Sequence, residues 1–237
     1  MKETIYTIPL TEALDENCEC AFCFLADKLE KEQVEYALGA AMMEPDYRIL
    51  SNAKGFCRRH VEKMARAKKA LPLALVLDTR TDEVIKTLET VRPKEEKGGL
   101  FKKDSGVEKL IETVCEMAKT CLVCERIDAT CQKFYHTFWY LYQKEPDFRK
   151  RVLEGKGFCL HHFSELLQAT DKLSGGKRDA FIRELFALEM DVLKRTKEDV
   201  HGFTKQFDYR ADKENWQGPK DAHLLCAARL SGSFERD

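Results

Sequence analysis

Apolar residues recur at helical spacing along nearly the whole chain. After Cys20, the residues Phe22, Leu25, Leu29, Tyr36, Ala40 and Met43 share one face of a helix. Pro45 then ends that helix and opens a short one, and Gly55 stops the short one before Cys57. Residues 57–70 read as helix up to the interruption at Pro72, and Leu73, Val76, Leu77, Val84, Leu88 and Val91 mark another. Upstream, Ile5 to Leu10 reads as a short arm containing Pro9, with Thr11 as a helix cap. Strand-like alternation is nearly absent, so the pattern predicts an all-α fold.

The same plan occurs twice. EPDYRILSNAKGFCRRH begins at Glu44 and EPDFRKRVLEGKGFCLHH begins at Glu145, and a C-x2-C pair lies at the same distance upstream of each. Such agreement marks an internal duplication. It predicts two tandem helical repeats, residues 1–91 and 107–200, related by a pseudo-twofold. Residues 92–106, RPKEEKGGLFKKDSG, are the linker, and 201–237 are a tail whose Phe203, Phe207, Tyr209 and Trp216 dock on the repeats. In the second repeat, helices are expected from 107 to 119, onward to Lys144, from Pro146, from Cys159, and after Ser174-Gly175-Gly176.

The duplicated segments carry the chemistry. Each repeat has C-x2-C and then, after 33 or 34 intervening residues, the Cys of a Gly-Phe-Cys-x2-His. Grouped by repeat, these give Cys20, Cys23, Cys57 and His60, and Cys121, Cys124, Cys159 and His162. Three thiolates and one imidazole suit tetrahedral zinc, and four protein ligands leave no open position, so the expectation is two structural zinc ions. An iron–sulfur cluster accepts the same donors and is the alternative cofactor. Grouping by repeat makes a geometric demand: a helix over residues 24–43 is about 30 Å long, so residues 44–56 must be partly extended to return to its start. Lys54, Arg58, Arg59, Arg126 and Lys156 are candidates to offset the charge of three thiolates. His161 has Arg59 as its counterpart, so His162 is the ligand. Cys18, Cys115, Cys131 and Cys226 have no counterparts in the other repeat, although Cys18 lies close enough to serve as an alternative ligand.

Composition narrows the function. Forty basic and 41 acidic residues give a net charge of −1, which supplies no reason to expect nucleic acid or an anionic membrane. The start, MKETIYTIPLTEAL, lacks the apolar run of a signal peptide, so a cytoplasmic location is expected, and ten cysteines in a reducing compartment point to metal before disulfides. The aromatic run Phe134 to Tyr142 has few basic residues interleaved and reads as core. Its counterparts Ala37, Leu38, Gly39, Ala40 and Ala41 are small or aliphatic, which would let the two helices pack together. No paired carboxylates, phosphate loop, nucleophile elbow or open metal triad stands at recognisable spacing. The expected function is therefore a non-enzymatic interaction or regulatory protein with a protein partner. A redox- or metal-responsive protein using the thiolates is the alternative.

The duplicated cysteine–histidine motif, Met42-Met43-Glu44-Pro45-Asp46 and Phe207-Asp208-Tyr209-Arg210 resemble an uncharacterised bacterial family, a domain of unknown function. Some of its members are labelled ABC transporter substrate-binding proteins. The resemblance covers nearly the whole chain and implies the metal motif at the eight named positions, but no activity.

Overall fold

The computed structural model describes residues 5–93, 105–173, 175–207 and 218–233, and every regular element among them is helical. The α-helices are α1 (Thr7–Asp15), α2 (Ala21–Ala37), α3 (Pro45–Lys54), α4 (Arg58–Arg66), α5 (Ala70–Thr90), α6 (Ser105–Lys119), α7 (Leu122–Lys144), α8 (Pro146–Leu153), α9 (Leu160–Gln168), α10 (Gly175–Lys205) and α11 (Ala222–Ser231). Short 3-10 turns stand at Ala40–Met43 and Ala169–Lys172.

Local chemistry explains the punctuation. Pro45 and Pro146 open α3 and α8 at the first helical position, where a missing N–H costs nothing. Gly55 and Gly157, one before each Gly-Phe-Cys, have φ of +66° and +74°. A β-carbon at Gly157 would also stand 2.7 Å from Glu189 Oε1, so this turn needs glycine for both conformation and clearance.

Several boundaries differ from the sequence reading. The arm 5–10 and the supposed cap Thr11 belong to α1: Pro9 sits in its first turn, and the Thr11 hydroxyl donates back to the Thr7 carbonyl at 2.9 Å. Helix α2 stops at Ala37, short of Met43. Pro72 does not interrupt a helix but lies in the first turn of α5, and the break falls just before it, where Lys68 has φ of +56°. The expected linker 92–106 lies mostly outside the described residues, as do Tyr209 and Trp216.

The chain forms two compact units, Leu29–Asp128 and Met1–Lys28 with Ala129–Asp237. They cut across the sequence halves 1–91 and 107–200, with boundaries inside α2 and α7. In the unit Leu29–Asp128, the central unit, Val34, Ala37, Leu38, Ala41, Tyr47, Met64, Leu122 and Val123 form one buried cluster, and α3 packs on α5. Ala37, Ala41 and Met42 also line a cavity of only about 10 Å³, too small for a ligand.

In the unit made of both chain ends, the terminal unit, the core is aromatic. Phe138 touches Phe22, Trp139, Tyr142, Phe148 and Phe158 with ring centroids 5.3–5.8 Å apart. Trp139 donates its indole N–H to the Leu166 carbonyl at 2.8 Å, which ties α7 to α9. Tyr140, on the outer face of α7, is exposed. The aromatic run is thus this unit's core, as its helical spacing implied. Phe138→Ala is predicted to cost about 3–5 kcal/mol, read as a lowered urea midpoint, because five rings close on a side chain that is fully buried. A Tyr140→Ala control should shift it by less than about 0.5 kcal/mol.

Candidate metal centres

All eight cysteine and histidine positions are gathered into two tetrads, but not by repeat. One is Cys20, Cys23, Cys159 and His162 in the terminal unit, and the other is Cys57, His60, Cys121 and Cys124 in the central unit. Each C-x2-C thus joins the Cys-x2-His of the opposite repeat, which corrects the grouping Cys20–Cys23–Cys57–His60 and Cys121–Cys124–Cys159–His162. Helix lengths give the reason. From its C-x2-C, α2 runs 17 residues, about 25 Å, while the return through α3 is ten helical residues, about 15 Å. In the second repeat α7 runs 23 residues, about 35 Å, against eight in α8, about 12 Å. The return is helical where grouping by repeat needed it extended.

Ligand spacing fits a single tetrahedral ion in each tetrad. In the terminal unit, His162 Nδ1 lies 3.6, 3.3 and 3.1 Å from the sulfurs of Cys20, Cys23 and Cys159, and Cys23 and Cys159 are 3.6 Å apart. In the central unit, His60 Nδ1 lies 3.2, 3.2 and 3.5 Å from Cys57, Cys121 and Cys124, and Cys57 to Cys124 is 3.9 Å. Zinc–sulfur and zinc–nitrogen bonds of about 2.3 and 2.0–2.1 Å imply tetrahedral edges of about 3.8 Å between sulfurs and about 3.5 Å from sulfur to nitrogen. The sulfurs are far beyond the disulfide bond length of about 2.05 Å, and all ten cysteines are free.

Within each tetrad one thiol is held low and another is pushed up, Cys124 in the central unit and Cys20 in the terminal unit, each by burial first and then by the neighbouring cysteines. Burial would raise the Cys121 thiol, but hydrogen bonding to His60 and to nearby backbone brings it down to about 6. Hydrogen bonds from Cys20 and Cys23, helped by the His162 and His161 backbone N–H groups at the start of α9, bring Cys159 far below the usual thiol range.

The surroundings of the two tetrads differ. In the central unit, the two ligand turns bond directly: Leu122 N–H donates to the Gly55 carbonyl at 3.0 Å, and the Thr120 hydroxyl donates to the Lys54 carbonyl at 2.6 Å. His60 presents Nε2 to the carboxylate of Glu30 at 2.9 Å, which fixes the ring with Nδ1 facing the sulfurs. Glu30 is 2% exposed, and burial alone would raise its pKa. Bonds from His60, Lys63 (2.8 Å) and Arg59 (2.6 Å) instead hold it at about 2. Of the basic candidates, Arg59 thus acts beside this tetrad. Lys54 pairs with Glu125, Arg58 with Glu62, and Arg126 stacks on Tyr47. Nothing in the repeat pattern singled out Glu30, because a glutamate inside a charged helix reads as solvent-facing.

In the terminal unit, Phe22 stacks on the His162 ring at 5.9 Å, and His161 is exposed, in line with choosing His162. Here a side chain from the tail joins the ligand turns. Arg229 is 2% exposed and donates to the carbonyls of Glu19 (2.6 Å) and Phe158 (3.1 Å) and to the Glu19 carboxylate (2.6 Å). Lys156 bridges Asn17 and Glu19 on the same side. The free thiol Cys18, with Cys20 and Cys23, lines a cavity of about 620 Å³.

A helical protein with two buried Cys3His tetrads is the class that fold and geometry define. The chain belongs to the family of unknown function DUF6062, which it matches over residues 1–237. No curated protein and no solved structure matches it.

Beneath the terminal tetrad, burial pushes the Glu189 carboxyl up to about 7, although it accepts the Phe158 N–H at 2.7 Å and faces Arg229. Its folded value lies above the ordinary 4.5, so the folded chain keeps a proton that the unfolded chain releases. Stability from this group should be present below pH 4.5 and lost as pH rises to about 7, by up to about 3 kcal/mol. Glu189→Gln keeps an acceptor for Phe158 and should flatten that part of the pH dependence. Urea titrations of both proteins from pH 4.5 to 8 check this, and parallel curves would contradict it.

Proposed function

We propose that this protein is a zinc-stapled helical scaffold with an interaction or regulatory role, each tetrad holding one structural ion. The observation that carries the proposal is the pair of buried tetrads with nearly tetrahedral edges. Cys20, Cys23, Cys159 and His162 hold one ion, and Cys57, His60, Cys121 and Cys124 hold the other. Four protein ligands fill the coordination sphere, which favours a structural role over Lewis-acid catalysis. Iron–sulfur clusters place thiolates on separate irons and spread them wider than edges of 3.1–3.9 Å, so the spacing favours a single ion. Among the described residues no helix is long and apolar enough to cross a membrane. Ten free thiols suit a reducing compartment such as the cytoplasm. Exposed Val107, Ile111 and Val114, one stripe of α6, favour a protein partner.

A second reading, a redox- or metal-responsive protein, is favoured by one observation: the cavity beside Cys20 and Cys23. A thiol reagent or chelator reaching that cavity meets metal ligands directly.

Metal counting on paired variants tests both zinc and the crossed grouping. Wild type should carry two zinc ions per chain by elemental mass spectrometry. Cys20→Ser with Cys159→Ser removes ligands from one crossed tetrad and should leave one ion. Grouping by repeat would disable both sites and leave none. Cys20→Ser with Cys57→Ser should conversely leave none, and one retained ion there would reject the crossed arrangement.

A further inference from the structure

The two tetrads have different means of closure, and that difference has a consequence for exchange. In the central unit, the ligand turns bond to each other through Leu122–Gly55 and Thr120–Lys54, all parts of the repeats themselves. In the terminal unit, α11 supplies the bridge. Arg229 joins Glu19, next to the ligand Cys20, to Phe158, next to the ligand Cys159. The chain then turns at Gly232, whose φ of +91° brings the backbone over the sulfurs. A β-carbon there would lie 3.8 Å from Cys23 Sγ and 4.0 Å from Cys159 Sγ. The next residue, Ser233, donates its N–H to Cys23 Sγ at 3.2 Å and its hydroxyl to Asp27 at 2.6 Å. A backbone N–H on a ligand sulfur stabilises the thiolate and shields it.

The grip of α11 mixes apolar and polar contacts: Leu224, Leu225, Cys226, Ala227 and Ala228 are half-buried, and the helix packs on α10 and α9. Its buried residues are Ala222 and Arg229, so one of the two is a charge, while Leu230 at its end is half exposed. Burying an ion pair returns little net stability, because desolvation offsets the attraction. A helix whose apolar side chains are mostly half-buried opens more readily than the aromatic core of the same unit. Asp221, Leu225, Ala228 and Ser233 also form one wall of the 620 Å³ cavity, whose opposite wall includes Cys18, Cys20 and Cys23. Lifting α11 would remove that wall and uncover the ligand sulfurs.

We propose that residues 219–233 are a releasable latch on the terminal tetrad, so that release of α11 sets how fast this centre exchanges metal or meets thiol reagents. The central tetrad is closed by its own turns and its Glu30 clamp and does not respond to the latch. The proposal rests on the tetrads holding zinc, but the latch itself can be tested without metal. Arg229→Leu removes the bridge while keeping an apolar side chain; Ser233→Pro deletes the N–H donor to Cys23 together with the hydroxyl bond to Asp27, and Ser233→Ala, which loses the hydroxyl alone, separates the two.

Two readouts are needed on the full chain. Zinc release to the chromogenic chelator 4-(2-pyridylazo)resorcinol should occur in two phases. Arg229→Leu should speed one phase tenfold or more and leave the other unchanged, with a smaller acceleration in Ser233→Pro. N-ethylmaleimide labelling mapped by mass spectrometry should rise at Cys20, Cys23 and Cys159 and stay at the wild-type level at Cys57, Cys121 and Cys124. Unchanged labelling at the first three would overturn the latch, as would equal acceleration at both centres, which reports general loosening. If wild type binds no zinc, the metal reading fails, and labelling of metal-free wild type against Arg229→Leu still decides the latch.

Discussion

Each tetrad joins turns far apart in sequence, and the rest of the structure depends on that crossing. Cys20 meets His162 across 142 positions, and Cys57 meets Cys124 across 67. Closing loops of that length costs the unfolded chain considerable entropy, and the cost rises only slowly with length. A tetrahedral ion gathers four ligands at once. Zinc peptides gain about 10–16 kcal/mol from such a site, more than the whole net stability of many domains. The crossing also explains why a compact unit contains both chain ends while the other is one continuous segment.

Around this shared chemistry the two units differ. The central tetrad sits against a mostly aliphatic cluster that includes Tyr47 and orients its histidine with a buried carboxylate held by Lys63 and Arg59. Aromatic rings surround the terminal tetrad instead: Phe22 stacks on His162, and Phe138 and Phe158 lie behind it. One duplicated motif thus has its imidazole fixed by an ionic partner in one unit and by ring packing in the other. A buried ion pair is sensitive to losing a single member, whereas a ring cluster spreads its contribution over many contacts.

The sequence made the eight clustered positions legible, because a repeated spacing of cysteine and histidine is a strong local signal. Helix class and most boundaries were legible too, from apolar spacing and from Pro45, Gly55 and Pro146. The grouping of ligands was not. Spacing along one chain says how far apart residues can be, not which of two equivalent turns they meet, and α2 and α7 proved too long for their short returns. Glu30 and Arg229 were invisible for another reason. A charge is ordinarily read as solvent-facing, and only the packed structure shows one enclosed with its partners. The aromatic run was readable as core, since its exposed member Tyr140 falls where helical spacing places the outer face.

The crossed tetrads are tested most directly by loading the protein with cadmium-113 and recording through-bond correlations from each cadmium to cysteine β-protons and histidine ring protons. Two cadmium resonances are expected. One should correlate with Cys20, Cys23, Cys159 and His162, and the other with Cys57, His60, Cys121 and Cys124. A single resonance correlating with both Cys20 and Cys57 would contradict the account.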